Sequence, residues 1–264
     1  MNSHEIDYTI HGEELQAVEI ELDTNETVIA EAGSLMSMTS GIELQTVFGS
    51  GNDEQQTMWS KVLGAGKRVL TGESLFMTTY TQKTAGKGTV FFAAPYPGKI
   101  LPFNLAEHAG KIVCQKDSFL CAAKGVSVGI EFQRKIGVGL FGGEGFIMQK
   151  LEGDGYAFVH AGGHIIEHTL AAGEVLKVDT GCIVAFHASV KYDIQYIGSI
   201  KTGVFGGEGL FLATLTGPGK VWVQSLPFSR LAGKVFSLMP RNSSLANADS
   251  GSVLGGLGGL VMGE

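Results

Sequence analysis

The chain has few cysteines, few charged residues and no long apolar run. Of its 264 residues 3 are Cys and 17% are charged. Because Cys114, Cys121 and Cys182 form no CxxC pair and are odd in number, we predict buried thiols in a reducing compartment rather than a metal knuckle or a disulfide framework. No apolar run reaches about 18 residues, and no basic segment precedes an apolar one at the N-terminus. We therefore expect a cytoplasmic protein without a signal peptide or a membrane span.

Lysine and arginine are absent from the first 60 residues, which hold 12 of the 26 acidic residues. The rest of the chain carries all 19 basic residues and the other 14 acidic ones, and the net charge is −7. Phosphate contacts supply most of the affinity for nucleic acids, and those contacts need clustered cations. This charge distribution argues against a nucleic-acid partner.

Glycine and apolar residues are abundant instead. The chain has 39 Gly without a collagen-like period, and 44% of its residues are hydrophobic, so the glycines are expected in the tight turns of a packed protein. In residues 16–22 Val18, Ile20 and Leu22 alternate with more polar residues, which is the period of a half-buried strand, and a turn follows at residues 23–25. The predicted fold class is all-β, and a turn of helix is also predicted at residues 229–233.

One short motif organises the chain. The run FGGEG at residues 141–145 returns letter for letter at residues 205–209, and Gly72-Glu73 is a shortened copy. Each copy precedes two apolar runs separated by a Gly-containing turn, so each predicts a β-hairpin. A second element also recurs upstream, and its copies align Val28 with Ile112 and with Val175. We therefore predict three tandem repeats, with domains at 1–105, 106–170 and 171–240 and a Gly/Leu-rich tail at 241–264.

The first copy contains an insert. From the small residue of the second element to the repeated Glu there are 39 residues in the first copy, against 26 and 27 in the others. The extra residues lie near 51–68 and predict a short helix whose apolar and basic groups suit a membrane surface or a protein partner. Capping of the first repeat is the alternative. The side chains concerned are Trp59, Lys61, Leu63, Lys67 and Arg68.

The repeated Glu is the most conspicuous set of polar residues. Its three members could form a ring that binds a ligand or a cation, or each carboxylate could accept hydrogen bonds from the amides of its own turn. We favour the second interpretation, because turn amides next to Gly need acceptors in every copy. The predicted structural turns are Gly72-Glu73, Gly143-Glu144 and Gly207-Glu208.

Three histidines, together with Glu167, form the most metal-like pattern. A turn at Gly162-Gly163 would place His160 and His164 across a hairpin, with His168 on the same face as His164. The residues that correspond to His160 in the other repeats are Ala93 and Gln224, neither of which is a histidine. We therefore interpret the three as solvated hairpin histidines and predict no metal.

No other motif indicates catalysis or a cofactor. Residues 137–142 fit GxGxxG, but that fingerprint holds a nucleotide only between a strand and a helix, and both flanks here are predicted strands. Residues 64–67 lack the upstream Gly of a phosphate-binding loop. No nucleophile, base and acid form a recognisable motif. We expect neither enzymatic activity nor a cofactor.

Repeats of this size leave open strand edges, which neighbouring units must cover. A chain of three units has two unlike ends, and head-to-tail contacts between such ends close into rings. We therefore expect a cyclic homotrimer, in which the acidic first repeat lies beside the less acidic third repeat of the neighbouring copy so that like charges do not meet.

The chain also resembles the family named for altered inheritance of mitochondria. The resemblance lies in residues 31–35 (EAGSL), 72–76 (GESLF), 206–211 (GGEGLF) and 217–225 (GPGKVWVQS), and it extends from about residue 16 to residue 239. It implies three β-sandwich or short double-stranded β-helix units, each similar to the tryptophan RNA-binding attenuation protein, chains assembled as a ring-like trimer, and no catalytic residues.

Three functions follow as hypotheses. The first is a non-catalytic scaffold or interaction protein with a membrane or protein partner. The second is a small-molecule binding module with sites between repeats, and the third is a cupin-like metal-dependent enzyme. The pattern of the histidines departs from the His-x-His of metal-binding cupins, which places the third hypothesis last.

Overall fold

The computed structural model of the chain describes residues 3–48, 76–134, 146–196 and 211–238. Most of the described residues are in β-strands and the structure has a single α-helix among them, which confirms the predicted all-β class. The first strands are β1 (Asp7–His11), β2 (Ala17–Leu22), β3 (Thr27–Glu31), β4 (Leu35–Met38), β5 (Ile42–Phe48), β6 (Phe76–Gln82) and β7 (Gly88–Ala93).

The remaining described residues form two further groups of strands. The first group is β8 (Gly98–Asn104), β9 (Lys111–Gln115), β10 (Phe119–Ala123), β11 (Ser127–Arg134), β12 (Phe146–Glu152) and β13 (Tyr156–Gly162). The second group is β14 (Ile165–Leu170), β15 (Val175–Asp179), β16 (Ile183–His187), β17 (Lys191–Tyr196), β18 (Phe211–Thr216) and β19 (Gly219–Gln224). Short 3-10 helices span Leu105–His108, Lys116–Ser118 and Thr180–Cys182, and the α-helix α1 (Phe228–Leu238) follows β19.

Strand β2 shows how the sequence produces this structure. Val18, Ile20 and Leu22 are fully buried while the residues between them are half-buried, so the alternation predicted for this strand is confirmed. The predicted turn follows, with Asn25 at a φ of 71°. Asparagine tolerates this left-handed conformation better than most residues, which lets the chain reverse into β3.

The same strand pairing occurs in three six-strand sets: β2–β7, β8–β13 and β14–β19. In each set the first, sixth and third strands form one sheet, and the second, fifth and fourth strands form another. The third strand of each set also bulges against the sixth strand at the same place. Strands and residues that occupy the same place in different sets are called equivalent below.

The pairing corrects one alignment that was made from the sequence. Ile112 pairs with Leu151, and Leu176 pairs with Leu215 in the same way, so Leu176 and not Val175 is equivalent to Ile112. The cause is the turn that follows each strand. Lys116–Ser118 and Thr180–Cys182 are matching 3-10 helices, and they place the third copy one residue further along than the letters suggested.

Two closed joints connect the sets. Strand β3 pairs with β10, and β9 pairs with β16, and each pairing merges two three-stranded sheets into a six-stranded sheet. Three buried apolar clusters then lie between four successive sheets, each cluster drawing its residues from two of them. Ile29 of β3 faces one cluster while Val28 and Ala30 face another. The central residues of the strands at the joints are therefore apolar, because both faces of these strands are buried there.

Two smaller predictions can also be compared with the structure. The helical turn predicted at residues 229–233 is confirmed, and the helix continues to Leu238. Cys114 and Cys121 are fully buried as predicted, whereas Cys182 is only half-buried, and all three are free thiols. The predicted domain boundaries, and the likeness of each unit to the tryptophan RNA-binding attenuation protein, stay predictions.

Candidate functional site

The strands equivalent to those of the closed joints lie open at two places in the molecule. Strand β4 is equivalent to β10 and β16, and β15 is equivalent to β3 and β9. Each is the last strand of its sheet, with no strand of the described chain beyond it. We call β4 and β15 the open edges. Their unpaired backbone N–H and C=O groups can extend a sheet with another strand.

The side chains of β4 confirm that its edge is uncovered. Met36 is 64% exposed, whereas its equivalents Leu120 and Val184 in the closed joints are buried. Met38 is likewise 39% exposed, while Ala122 at the equivalent place is fully buried. Strand β10 is more buried than β4 because a neighbouring set packs against it.

The side chains of β15 differ from their equivalents in chemistry as well as in burial. Lys177 is exposed where the closed joints have the buried apolar residues Ile29 and Val113. A lysine in an edge strand is a common device against indiscriminate strand pairing. The exposed Lys177 therefore distinguishes this edge from the apolar strands of the closed joints.

The acidity predicted for the N-terminal region is concentrated around a groove of about 530 Å³ beside β1 and β2. Lys87 is the basic residue in its lining, and it forms ion pairs with Glu21 and Asp7. The acidic residues of the lining are Glu5, Asp7, Glu21, Asp23, Glu26 and Asp154.

His160 is not solvated, and it does not face His164 across a hairpin. It is buried in β13, which pairs with β8, whereas β14 begins a different sheet and pairs with β19. The predicted hairpin is wrong because the chain changes sheets between β13 and β14 instead of turning back. Neither ring nitrogen of His160 makes a hydrogen bond, and burial lowers the pKa of the imidazole to about 4.

The surroundings of His160 explain how it is held. Tyr96 packs edge-to-face on the imidazole, with the ring centroids 4.4 Å apart. A Cβ added at Gly98 would lie 2.8 Å from the imidazole Nε2 and even closer to the Ala161 carbonyl, so the site requires glycine there. The histidine fills a closed position in the fold and is neutral near pH 7.

The other members of the predicted cluster point elsewhere. His164 is exposed, and His168 lies on β14 opposite Val221. Glu167 accepts a hydrogen bond of 2.9 Å from the Trp222 indole and forms an ion pair of 2.6 Å with Lys220. Within the described ranges no three His, Cys, Asp or Glu side chains converge in a way that would hold a metal ion.

A half-buried carboxyl group that the sequence did not single out lies at the first closed joint. Glu31 ends β3, and burial together with the nearby Asp117 raises its pKa to about 7. Tyr96 belongs to the same neighbourhood. Burial and the charges of Asp117 and Glu31 raise its pKa to about 12. Glu31 and Asp117 come from different sets, so only the folded joint brings them together.

Several predicted residues lie outside the described residues. These are the three Gly-Glu turns at Gly72-Glu73, Gly143-Glu144 and Gly207-Glu208, the insert with Trp59, Lys61, Leu63, Lys67 and Arg68, and the tail at 241–264. Among the helices that the structure does describe, none combines the length and the apolar character needed to cross a membrane.

Comparison with known proteins places the chain among relatives of similar length. An uncharacterised protein of Streptococcus pyogenes serotype M6 is 29% identical over 231 residues, which cover 86% of this chain and 88% of that protein. A crystal structure of a Streptococcus pyogenes protein superposes with a TM-score of 0.70 at 25% identity, covering 89% of this chain and all of the other. The sequence profile of the family described as "Mitochondrial biogenesis AIM24" matches residues 8–226. The match extends over most of the chain, and the protein therefore belongs to the AIM24 family.

Proposed function

We propose that this protein is a non-catalytic scaffold whose copies join head to tail through the open edges, with β4 of one copy pairing with β15 of the next. The observation that carries the proposal is the equivalence of these strands to those of the closed joints. The chain uses one kind of strand pairing twice to join its three sets. One strand of each kind, β4 and β15, is left without a partner strand in the described chain. These two strands are complementary between copies.

The closed joints also supply a register for this contact. Cys121 lies opposite Ala30, and Ala185 lies opposite Cys114, at equivalent places in the two joints. Transferred to the open edges, this register sets Ser37 opposite Val178, Met38 opposite Lys177 and Thr39 opposite Leu176 of the neighbouring copy. A slip by one residue would turn every side chain of β15 to the wrong face, so the register is a strict requirement.

Charge supports the same pairing. Strands β1–β5 contain no Lys or Arg, so every fully charged side chain that they present to a neighbour is acidic. Lys177 would approach this surface, and opposite charges at a junction favour one partner over others. The lysine that blocks indiscriminate pairing of β15 is thereby matched to β4 and its surroundings.

Head-to-tail contacts that close give a ring, and the family resemblance implies three chains. The ring would contain nine six-strand sets, each proposed to resemble the tryptophan RNA-binding attenuation protein. Light scattering during gel filtration tests the assembly, and the expected mass is three times the 27.8 kDa of one chain. A chain that stays monomeric at micromolar concentration in moderate salt would overturn the proposal.

A second role, contact with a membrane surface, is favoured by α1. Its apolar side chains occupy one face, and Phe228, Val235, Phe236 and Leu238 are 48–77% exposed. The opposite face carries Arg230 and Lys234, and the helix has no acidic residue. A helix that has an exposed apolar face and basic residues on its other face is suited to a membrane surface with anionic lipid headgroups.

Vesicle flotation tests this role. The full chain is expected to float with vesicles containing phosphatidylserine and to stay behind with vesicles of phosphatidylcholine alone. The variant Phe236→Ser should lose binding, while Leu44→Ser, which changes an apolar residue of β5 that is 42% exposed, should retain it. Equal flotation of both variants would contradict a role for α1.

A further inference from the structure

Two histidines from different sets meet at the second closed joint. His108 ends the 3-10 helix before β9, and His187 ends β16, 79 residues later. The His108 Nδ1 and the His187 Nε2 are 3.0 Å apart, and both rings are half-buried with an open side toward solvent. No sequence spacing indicates the pair, because only the pairing of β9 with β16 brings the two residues together.

Aromatic side chains hold both rings in place. The Trp222 ring centroid is 5.4 Å from His187 and 6.0 Å from His108, and Phe103 packs edge-to-face on His108 at 5.3 Å. The backbone is fixed as well, since His187 lies opposite Ile112 in the joint. The two nitrogens therefore face each other without any rearrangement of the main chain.

Two neutral imidazoles at this distance can share a proton or share a metal ion. Burial is the main cause that lowers the pKa of both histidines, with Lys220 acting in the same direction. Imidazole nitrogens bind transition-metal ions at about 2.0–2.1 Å. When the two bonds from the metal ion to its nitrogen ligands form roughly a right angle, the two nitrogens are about 3 Å apart. The observed separation of 3.0 Å fits that arrangement.

The carboxylate of Glu167 adds negative charge to the neighbourhood. Glu167 raises the pKa of both histidines, whereas Lys220, its ion-pair partner, lowers it. Glu167 also accepts a hydrogen bond from the Trp222 indole. An imidazole that is oriented by surrounding groups makes a better ligand than a free one.

We propose that His108 Nδ1 and His187 Nε2 together bind one divalent transition-metal ion that favours nitrogen ligands at right angles, such as Cu²⁺ or Ni²⁺, with water completing its coordination. On binding, the ring that donates the hydrogen bond in the metal-free pair carries its proton on its other nitrogen, and no proton is lost. The ion joins the 3-10 helix of the second set to β16 of the third set. This site goes beyond the scaffold role and does not depend on ring assembly.

Trp222 provides a direct readout. Cu²⁺ bound at this pair lies within contact range of the indole and should quench its fluorescence, and in a Trp59→Phe background Trp222 is the remaining tryptophan. Titration with Cu²⁺ alone is expected to give saturable quenching at one ion per chain. His187→Ala and His108→Gln should each weaken binding by at least roughly tenfold.

Two controls separate the site from general effects. His11→Ala and His168→Ala remove histidines of other strands and should leave the titration unchanged. His108→Gln keeps a side chain that can hydrogen-bond with His187, so loss of Cu²⁺ binding with unchanged circular dichroism assigns the effect to ligation. Quenching that is equally strong in His187→Ala and His108→Gln, or that never saturates, would overturn the proposal and leave the pair as a hydrogen bond only.

Discussion

The closed joints and the open edges use equivalent strands with different side chains. At the closed joints Ala122 lies opposite Ile29, and Phe186 lies opposite Val113, all of them buried. At the open edges the equivalent residues are Met38 and Lys177, and both are exposed. The closed joints are thus part of the core, while the open edges retain the strand geometry and carry side chains that tolerate water. This is the pattern expected of a surface that must exist free before it meets a partner.

The largest expected effect comes from placing the same charge at equivalent positions of the two surfaces. Ala122→Asp buries an unpaired carboxylate in a closed joint and should cost about 3–5 kcal/mol of the free energy of unfolding, enough to unfold much of the protein. Met38→Asp should leave each chain folded, because this side chain meets water. Circular dichroism with urea denaturation makes the comparison, and Ala106→Asp at an exposed position is the control for Ala122→Asp.

Reversing the charge on the open edge tests the proposed match with the acidic first set. Lys177→Glu should shift the assembly to monomers in light scattering, because it brings like charges together at the junction. Lys191→Glu makes the same change on β17, the edge strand on the other side of the same sheet, which the proposed pairing does not use, and should leave the mass unchanged. If both variants keep the mass of the parent, the charge match between β15 and the first set is wrong.

The polar end of the closed joint should respond to pH. Burial and Asp117 raise the pKa of Glu31 from 4.5 to about 7, so the folded protein favours the protonated acid. The stability that Glu31 contributes is complete below about pH 4.5 and is lost as the pH rises through 7. Glu31→Gln should therefore match the parent at pH 4 and exceed it at pH 8 by on the order of 1–3 kcal/mol.

Urea denaturation at the two pH values measures this difference. Glu43→Gln, on the exposed part of β5, provides the matched control and should follow the parent at both pH values. A Glu31→Gln variant with the same pH dependence as the parent would show that this carboxyl group is not the cause.

The smallest expected effect is at the corresponding end of the open strand. Asp179 of β15 is equivalent to Glu31, and it forms an ion pair of 3.1 Å with Arg230 of α1 while also accepting a hydrogen bond from the Gly181 amide. Because the pair is solvent-exposed, Arg230→Ala should change global stability by less than about 1 kcal/mol. It should nevertheless speed amide hydrogen exchange across residues 228–238, and unchanged exchange would show that the ion pair does not anchor the helix.

The hairpins predicted after the three Gly-Glu motifs are wrong, because the chain changes sheets between β6 and β7, between β12 and β13 and between β18 and β19. Other local features of the fold were predictable because they depend on neighbours in sequence. The alternation of β2, the turn at Asn25 and the start of α1 all follow from residues within a few positions of each other. The pairing of β3 with β10 was not predictable, because an apolar strand such as Phe119–Ala123 can be buried against many partners. The one-residue error at Val175 has a similar cause, since only the strand pairing fixes the register.

The candidate sites were less predictable than the fold. His160 and His164 are close in sequence, yet the chain changes sheets between them, and this change cannot be read from two glycines. His108 and His187 are far apart in sequence and meet only through the joint between the second and third sets. Residues that act across a joint become visible only when the joint itself is known.

The most direct test of the account is a disulfide between copies at the register taken from the closed joints. With Met38→Cys and Lys177→Cys in one chain, the proposed pairing brings the two cysteines of neighbouring copies within the Cα spacing of about 4.4–6.8 Å that a disulfide needs. Mild oxidation should then give a covalent trimer on a non-reducing gel. The single variants, and the shifted pair Met38→Cys with Val175→Cys, should not link efficiently. A double variant that stays monomeric on the gel, or a shifted pair that links equally well, would contradict the pairing of β4 with β15.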